Sequence, residues 1–403
     1  MLLVLVVSAL MDSKIHTQLI ILFLVLLSET VILKSHSWSS LERSDSDFNN
    51  WVSWNVRNYQ KKTALEAEMT MAKLGNRPSG KLKKIDVRLR KAELNKMSIS
   101  VRQDGSGDFA NITDALISIL PRNNRRVTLM IGPGVYREKI LIPRTLPFVT
   151  LLGTNASDPP TITGNDTASG SGKDGRPLRT FQSATVAIEA DYFIAVNVKF
   201  ENTAPHTVGR RGEQAAAIRI SGTKAAFYNC SFYGAQDTLY DHKGLHYFNN
   251  CFIQGSVDFI FGYGMSLYEN CYLNSMAKKV ASLTAQKRTN STMASGFSFK
   301  DCVVRGRGQV YLGRAWGDYS RVVFSYSFMD NIVLPQGWSD WGDQNRHLKV
   351  YYGEYKCGGP GANLSGRVPW ARALTDEEAK PFIGTYYIDG DSWLITPSKL
   401  INH

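Results

Sequence analysis

Two aspartates, Asp237 in "YNCSFYGAQDTLYDH" and Asp258 in "FNNCFIQGSVDFIFG", each follow a cysteine (Cys230, Cys251) by seven residues and lie 21 residues apart. A fixed offset on stacked β-coils brings such residues together at the strand spacing of about 4.8 Å. Two carboxylates that close cannot both ionise easily, so one carries a raised pKa and acts as an acid while the other stays a nucleophile or base. Such pairs serve glycosidases, aspartic proteases and some ester hydrolases, so the pair alone names no reaction. Counting back 22 residues from Gln236 reaches Gln214 in "EQAAAIR". Amide N–H groups from Gln214 and Gln236 aimed at one point form an oxyanion hole, which acyl chemistry needs and glycoside cleavage does not. A turn-capping Asp is the plainer reading, but the aromatics of "SVDFIFGYG" make that setting costly for a mere cap.

The elements that position these residues show in the cysteines. "YNCSF", "NNCFI", "ENCYL" and "KDCVV" place Cys230, Cys251, Cys271 and Cys302 in similar local strings, the first three 21 and 20 residues apart. A period in the low twenties of short β-segments is the signature of a solenoid. The cysteines then form an inward file and behave as small apolar side chains. A Cys230–Cys251 bridge stays open, and the preceding Asn residues form a second ladder at the turns.

The chain has 403 residues, 43% hydrophobic, 20% charged, with 33 Gly and a net charge of +12. That balance suits an all-β protein with many turns. A basic surface implies an acidic partner such as nucleic acid, an anionic membrane or an acidic polysaccharide. From Met11, "MDSKIHTQLIILFLVLLSETVILKSHS" has the layout of a secretory signal peptide, with an uncleaved anchor as the alternative for residues 1–37. Six Asn-x-Ser/Thr sequons (Asn111, Asn155, Asn165, Asn229, Asn290, Asn363) suit a secreted glycoprotein. Residues 38–95 read as a short helical and linker segment. "SDFNNWVSWNVRNYQKKTALEAEMTMAKLG" suits an amphipathic helix and "KLKKIDVRLRK" a basic linker. Residues 96–403 form the main domain, opening as strand, turn and helix in "VRQDGSGDFANITDAL". "LTDEEAKPF" carries a Thr375…Glu378 capping box.

Seven ordered strings then resemble one family. They are "GPGVYREKI" (132–140), "RTFQSATVAI" (179–188), "EQAAAIR" (213–219), "GAQDTLY" (234–240), "VDFIFG" (257–262), "YLGRAWGDYSRVVF" (311–324) and "GWSDWG" (337–342). The set resembles the pectin methylesterases (pectinesterases) of the plant cell wall over about three quarters of the chain. The resemblance implies a right-handed parallel β-helix with short flanking helices and a secreted, monomeric wall enzyme. Its substrate would be methyl-esterified homogalacturonan, its partners include proteinaceous pectinesterase inhibitors, and it uses no cofactor or metal. It also implies roles. Asp258 resembles the nucleophile and Asp237 the acid/base, while Gln236 and Gln214 resemble the oxyanion amides. Arg314 in "LGRAW" resembles the arginine that orients the nucleophile and touches substrate. Thr180, Gln214, Arg314 and Trp316 resemble substrate contacts. Trp338, Phe200 and Tyr263 are weaker candidates for sugar stacking, and Asp301 and Glu138 read as structural.

The sequence departs from the family in three places. Ala315 stands where the common string has Pro, which implies a looser loop around Arg314 and Trp316. "ENTAPHTVGRRGEQ" is longer than usual and carries Arg210 and Arg211 toward the cleft, which would favour acidic, partly de-esterified pectin, with solvated charge as the simpler reading. Residues 38–95 are too short for an inhibitor-like domain and contain no Cys. A pectate lyase, a polygalacturonase and a non-catalytic pectin-binding wall protein are the rival readings. Nucleic-acid binding has no basic-aromatic motif to support it.

Overall fold

Short apolar segments punctuated by residues that tolerate positive φ dictate the architecture. A computed structural model describes residues 85–207 and 210–395. Each coil contributes up to three strands, as in 225–228, 231–233 and 239–241, followed by 245–249, 252–255 and 260–262. Like strands of successive coils pair in parallel, giving an 11-stranded and a 14-stranded sheet. This is the parallel solenoid that the cysteine period suggested, and the right-handed parallel β-helix that the family resemblance implied. The long strands Tyr272–Gln286 and Val303–Ala315 run through the bend that separates the second and third strands in earlier coils.

Register is held by files of like residues. Asn197, Asn229, Asn250, Asn270, Asp301, Tyr326 and Lys356 occupy one corner, all with φ between 48° and 56°. Asn and Asp accept this left-handed conformation at least cost. The Asn229 side-chain amide donates to Asn197 at 2.7 Å and that of Asn250 to Asn229 at 3.2 Å, so the corner ladder exists as read. Inside it Cys230, Cys251, Cys271 and Cys302 are buried, and all are free thiols together with Cys357. The open question of a Cys230–Cys251 bridge is thereby closed against a disulfide. A second internal file stacks Phe227, Phe248, Tyr268, Phe299 and Phe324 at 4.4–4.9 Å between centroids. Stacked pairs add about 0.5–1.5 kcal/mol each beyond their burial.

Two other candidates belong to this interior. Phe200 is fully buried and stacks on Phe232 at 5.4 Å. Trp338 is 1% exposed, lies on Tyr352 at 4.4 Å and donates to Glu354 at 3.2 Å. Neither offers a face to a sugar.

The stretch read as a basic linker is in part a helix, Val87–Leu94, capped by the Asp86 side chain at the Arg88 N–H. Its charges masked the two residues that matter, Leu89 and Ala92, which are buried in the second hydrophobic cluster. Glu93 next to them pairs with the buried Arg126 at 2.7 Å. The amphipathic segment before it and the leader lie outside the described residues. Strand Met97–Val101 and helix Ile112–Ile117 open the solenoid as expected. Glu138 accepts from the Ile112 and Thr113 N–H groups at 2.9 and 2.8 Å, a structural role at the helix start. The Thr375…Glu378 capping box is formed. Among the described residues no helix is long and apolar enough to cross a membrane.

Candidate active site

Asp237 and Asp258 sit at the same bend of successive coils, between strands 231–233 and 239–241 and between 252–255 and 260–262. A parallel bridge pairs Gln236 with Val257, which sets the two aspartates side by side one strand apart. The Asp237 N–H donates to Val257 O at 3.1 Å and the Asp258 N–H to Ser282 O at 2.8 Å. Both take positive φ, 66° and 49°, so each ends one strand and turns the chain into the next. They are only 8% and 3% exposed.

Arg314 meets Asp258 in a two-bonded fork, Nε to Oδ1 at 2.6 Å and Nη2 to Oδ2. The guanidinium also lies over the Trp341 ring, 3.2 Å from its centroid. A planar cation bonded along its edge and stacked on its face has little freedom left. Its backbone is a strand, not a loop. Arg314 pairs with Ala285 on one side and Ser339 on the other, and Ala315 is buried opposite Gln286. The looseness expected from Ala315 is absent because sheet pairing fixes this segment.

Gln214 reaches the pair through a one-residue irregularity. The Ala215 N–H donates to Gln236 O at 3.1 Å, and the N–H groups of Ala217 and Ile218 both donate to Thr238 O at 2.8 and 3.4 Å. That local bulge lengthens the offset from 21 to 22 residues and levels Gln214 with Gln236. Both side chains are half-buried and free of hydrogen bonds to described residues. Thr180 belongs to the short helix Arg179–Ser183. It is tied to Gln214 through Arg179 N–H to Ala168 O at 2.7 Å and Ala168 N–H to Gln214 O at 2.8 Å.

Burial pushes the Asp237 carboxyl well above the usual range, and the Asp258 charge adds to this against an opposing pull from Arg314. Asp237 thus holds its proton where an ordinary carboxyl has lost it.

Trp316 is half-buried, 6.1 Å from Phe261 and with the Lys287 ammonium 4.1 Å from its centroid. Tyr263 is half-buried and its hydroxyl bonds His242 at 2.8 Å. Sequence reasoning missed the file running from Phe181 through Tyr240 and Phe261 to Trp316, in which Tyr240 stacks on Phe261 at 4.3 Å. The signal was present, since Tyr240 and Phe261 repeat the 21-residue offset of the aspartates. Trp341 was missed as well. Only the tertiary fold tells it from the buried Trp338 three residues earlier. Arg210 is 75% exposed beside Glu213, as expected for solvated charge.

Fold and site together define a parallel β-helix protein with a deep carboxylate pair, an arginine fork and two unengaged amides. The sequence profile of the Pectinesterase family matches residues 98–391, and the chain belongs to that family. It is 46% identical over 297 residues to Pectinesterase QRT1 of Arabidopsis thaliana, covering 73% of this chain and 78% of that one. It is 45% identical to Putative pectinesterase 63 of the same plant, covering 74% and 86%. Among solved structures, the pectin methylesterase from carrot aligns with TM-score 0.68 and 32% identity over 76% of this chain and 96% of its own. Pectin methylesterase PemA from Erwinia chrysanthemi aligns with TM-score 0.63 and 26% identity over 74% and 98%.

Proposed function

We propose that this pectinesterase hydrolyses the C6 methyl esters of galacturonate units in pectin, with Asp258 as nucleophile and Asp237 as acid and base. The observation that carries the assignment is the asymmetry of the pair. Asp258 is clamped by Arg314, whereas burial and the neighbouring charge keep the proton on Asp237.

The Asp258 carboxylate attacks the ester carbonyl, and the Gln214 and Gln236 amides stabilise the tetrahedral oxyanion. Asp237 donates its proton to the departing methoxy oxygen, methanol leaves, and an acyl-enzyme anhydride remains. Asp237 then takes a proton from water, whose oxygen attacks the galacturonoyl carbon and frees the C6 carboxylate and Asp258. Arg314 keeps the attacking oxygens aimed through a charge-assisted fork. Thr180 and Trp316 flank the sugar. Among the described residues no group of three His, Cys, Asp or Glu is arranged to hold a metal ion, and the steps above route nothing through one.

Residues 1–37 serve as leader or anchor, 38–95 as a short lead-in segment and 96–403 as the catalytic domain. The enzyme acts as a secreted monomer in the cell wall, within reach of proteinaceous inhibitors. The test is methanol release from methylated pectin by the secreted chain and by Asp258→Asn. The wild type should release methanol without creating new sugar ends, and the variant should lose several orders of magnitude. Retention of more than a few per cent of activity by Asp258→Asn removes the nucleophile assignment. Binding without turnover by the wild type favours the non-catalytic reading.

A further inference from the structure

The short strand Trp338–Ser339 pairs with Gly313 and Arg314, and the chain then leaves the sheet in a loop that returns at Tyr351. The first turn of this loop sets Trp341 against the Arg314 guanidinium, with φ 57° at Trp341 and 73° at Gly342. Glycine suits that conformation, whereas a side chain as bulky as Trp341 stays there only where its surroundings fix it. The Ser339 hydroxyl oxygen accepts from the Trp341 N–H at 3.2 Å. The Asp340 carboxylate holds two separate parts of the loop at once. Its Oδ1 accepts from the Gly342 N–H at 2.8 Å, and its Oδ2 lies 2.8 Å from His347 Nε2. One carboxylate and one imidazole thus close the segment that carries Trp341.

His347 is anchored in turn. Its ring stacks on Trp370 at 5.0 Å between centroids and 17° between planes. Trp370 lies 5.9 Å from Tyr352, which stacks on Trp338 at 4.4 Å inside the solenoid. The Asp340 carbonyl also accepts from Arg346 Nη1 at 3.0 Å, and Arg346 Nε donates to Asp318 Oδ1 at 3.2 Å, two residues beyond Trp316. The loop is therefore fastened to the aromatic column behind it and to the segment that carries Trp316. Asp340 and His347 play no part in the chemical steps above, yet both converge on the residue that backs Arg314.

We propose that Asp340 and His347 are positioning residues for ester hydrolysis: their clasp holds Trp341 against Arg314 and so keeps the guanidinium fork aimed on Asp258. The inference rests on the role given to Arg314 in the proposed mechanism. The His347 and Asp340 side chains are 33% and 25% exposed, so water competes with the clasp and its strength is moderate. Losing it frees Trp341 without removing it, so the effect is bounded by that of Trp341→Ala, about two- to fivefold. A loss of about two- to threefold is expected, and it should fall on kcat because the fork acts on the attacking group once substrate is bound.

The test measures initial rates of methanol release from methylated pectin for His347→Ala, His347→Gln and Asp340→Ala, each made in wild type and in Trp341→Ala. Both alanine variants should lower kcat about two- to threefold with KM nearly unchanged. His347→Gln should recover most of the loss, because its amide N–H reaches the place of Nε2. In the Trp341→Ala background the same substitutions should cost almost nothing further, since residues acting through one contact are not additive. Leu348→Ser, 97% exposed on the same loop, should leave kcat in place. Should Asp340→Ala fold poorly by thermal melting, the two His347 variants carry the comparison alone. Unchanged kcat in folded His347→Ala, a loss on KM alone, full additivity with Trp341→Ala, or an equal loss in Leu348→Ser overturns the positioning role. No methanol from wild type overturns instead the function on which it rests.

Discussion

Replacing Arg314 by Lys keeps the charge and removes the fork, so it isolates geometry from general electrostatics. Arg314 gives Asp258 one bond from Nε at 2.6 Å and another from Nη2. A lysine ammonium on a flexible stem reproduces one of these and not the planar pair. Losing one hydrogen bond to a charged group costs about 1.5–3 kcal/mol, or roughly 10- to 150-fold in kcat/KM. The Arg314 side chain is 22% exposed while the Asp258 side chain is 4% exposed, so water reaches the outer edge of the fork. That solvation places the expected loss in the lower part of the range, roughly 10- to 50-fold. Initial rates of methanol release give kcat and KM separately, and a melting curve checks that the variant is folded. Since the fork acts on the attacking group, the loss should fall mainly on kcat. Adding Arg314→Lys to Asp258→Asn should cost little more than Asp258→Asn alone, because residues acting as a unit are not additive. A kcat/KM within twofold of wild type in folded Arg314→Lys refutes the reasoning and reduces Arg314 to part of the basic field.

Asp237→Asn should still acylate with an activated galacturonate ester whose leaving group needs no proton, whereas Asp258→Asn should not. Equal loss of acylation in both variants contradicts the division of roles. The same substitution should alter stability with pH. The folded-state pKa of Asp237 is raised above 3.8, so the folded chain keeps a proton that the unfolded chain releases, and stability declines as pH rises through the folded value. Asp237→Asn should therefore be more stable than wild type at pH 7, by about 0.5–2 kcal/mol, with the gap closing below pH 3.8. A gap that is the same at pH 3 and pH 7 counts against the raised pKa. Trp341→Ala should lower kcat/KM about two- to fivefold through its contact with Arg314 and leave melting nearly unchanged. Trp338→Ala should instead cost about 3–5 kcal/mol of stability. The reverse pattern would show that the two tryptophans have been assigned the wrong way round.

The cysteine period, the corner asparagines and the equal offset of the two aspartates were legible because neighbouring coils of 21 and 20 residues repeat without insertion there. Farther along, successive corner residues Asn270, Asp301, Tyr326 and Lys356 lie 31, 25 and 30 residues apart. The period fades from the sequence although the coils continue. The helix Val87–Leu94 was hidden for another reason, since its two buried residues stand among four charged ones.

Residue types and their linear repeat were enough to state that two carboxylates and two amides converge on a parallel solenoid. A β-coil converts equal spacing in sequence into adjacency in space at the strand separation. What spacing cannot encode is everything that depends on which residue faces inward. Only the folded chain buries Trp338 and exposes Trp341, and seats Ala315 within a strand. The asymmetry of the aspartates is likewise tertiary. Both come from the same bend in the same local sequence setting, and the fork from Arg314, 56 residues beyond Asp258, leaves Asp237 with burial and a neighbouring charge that hold its proton.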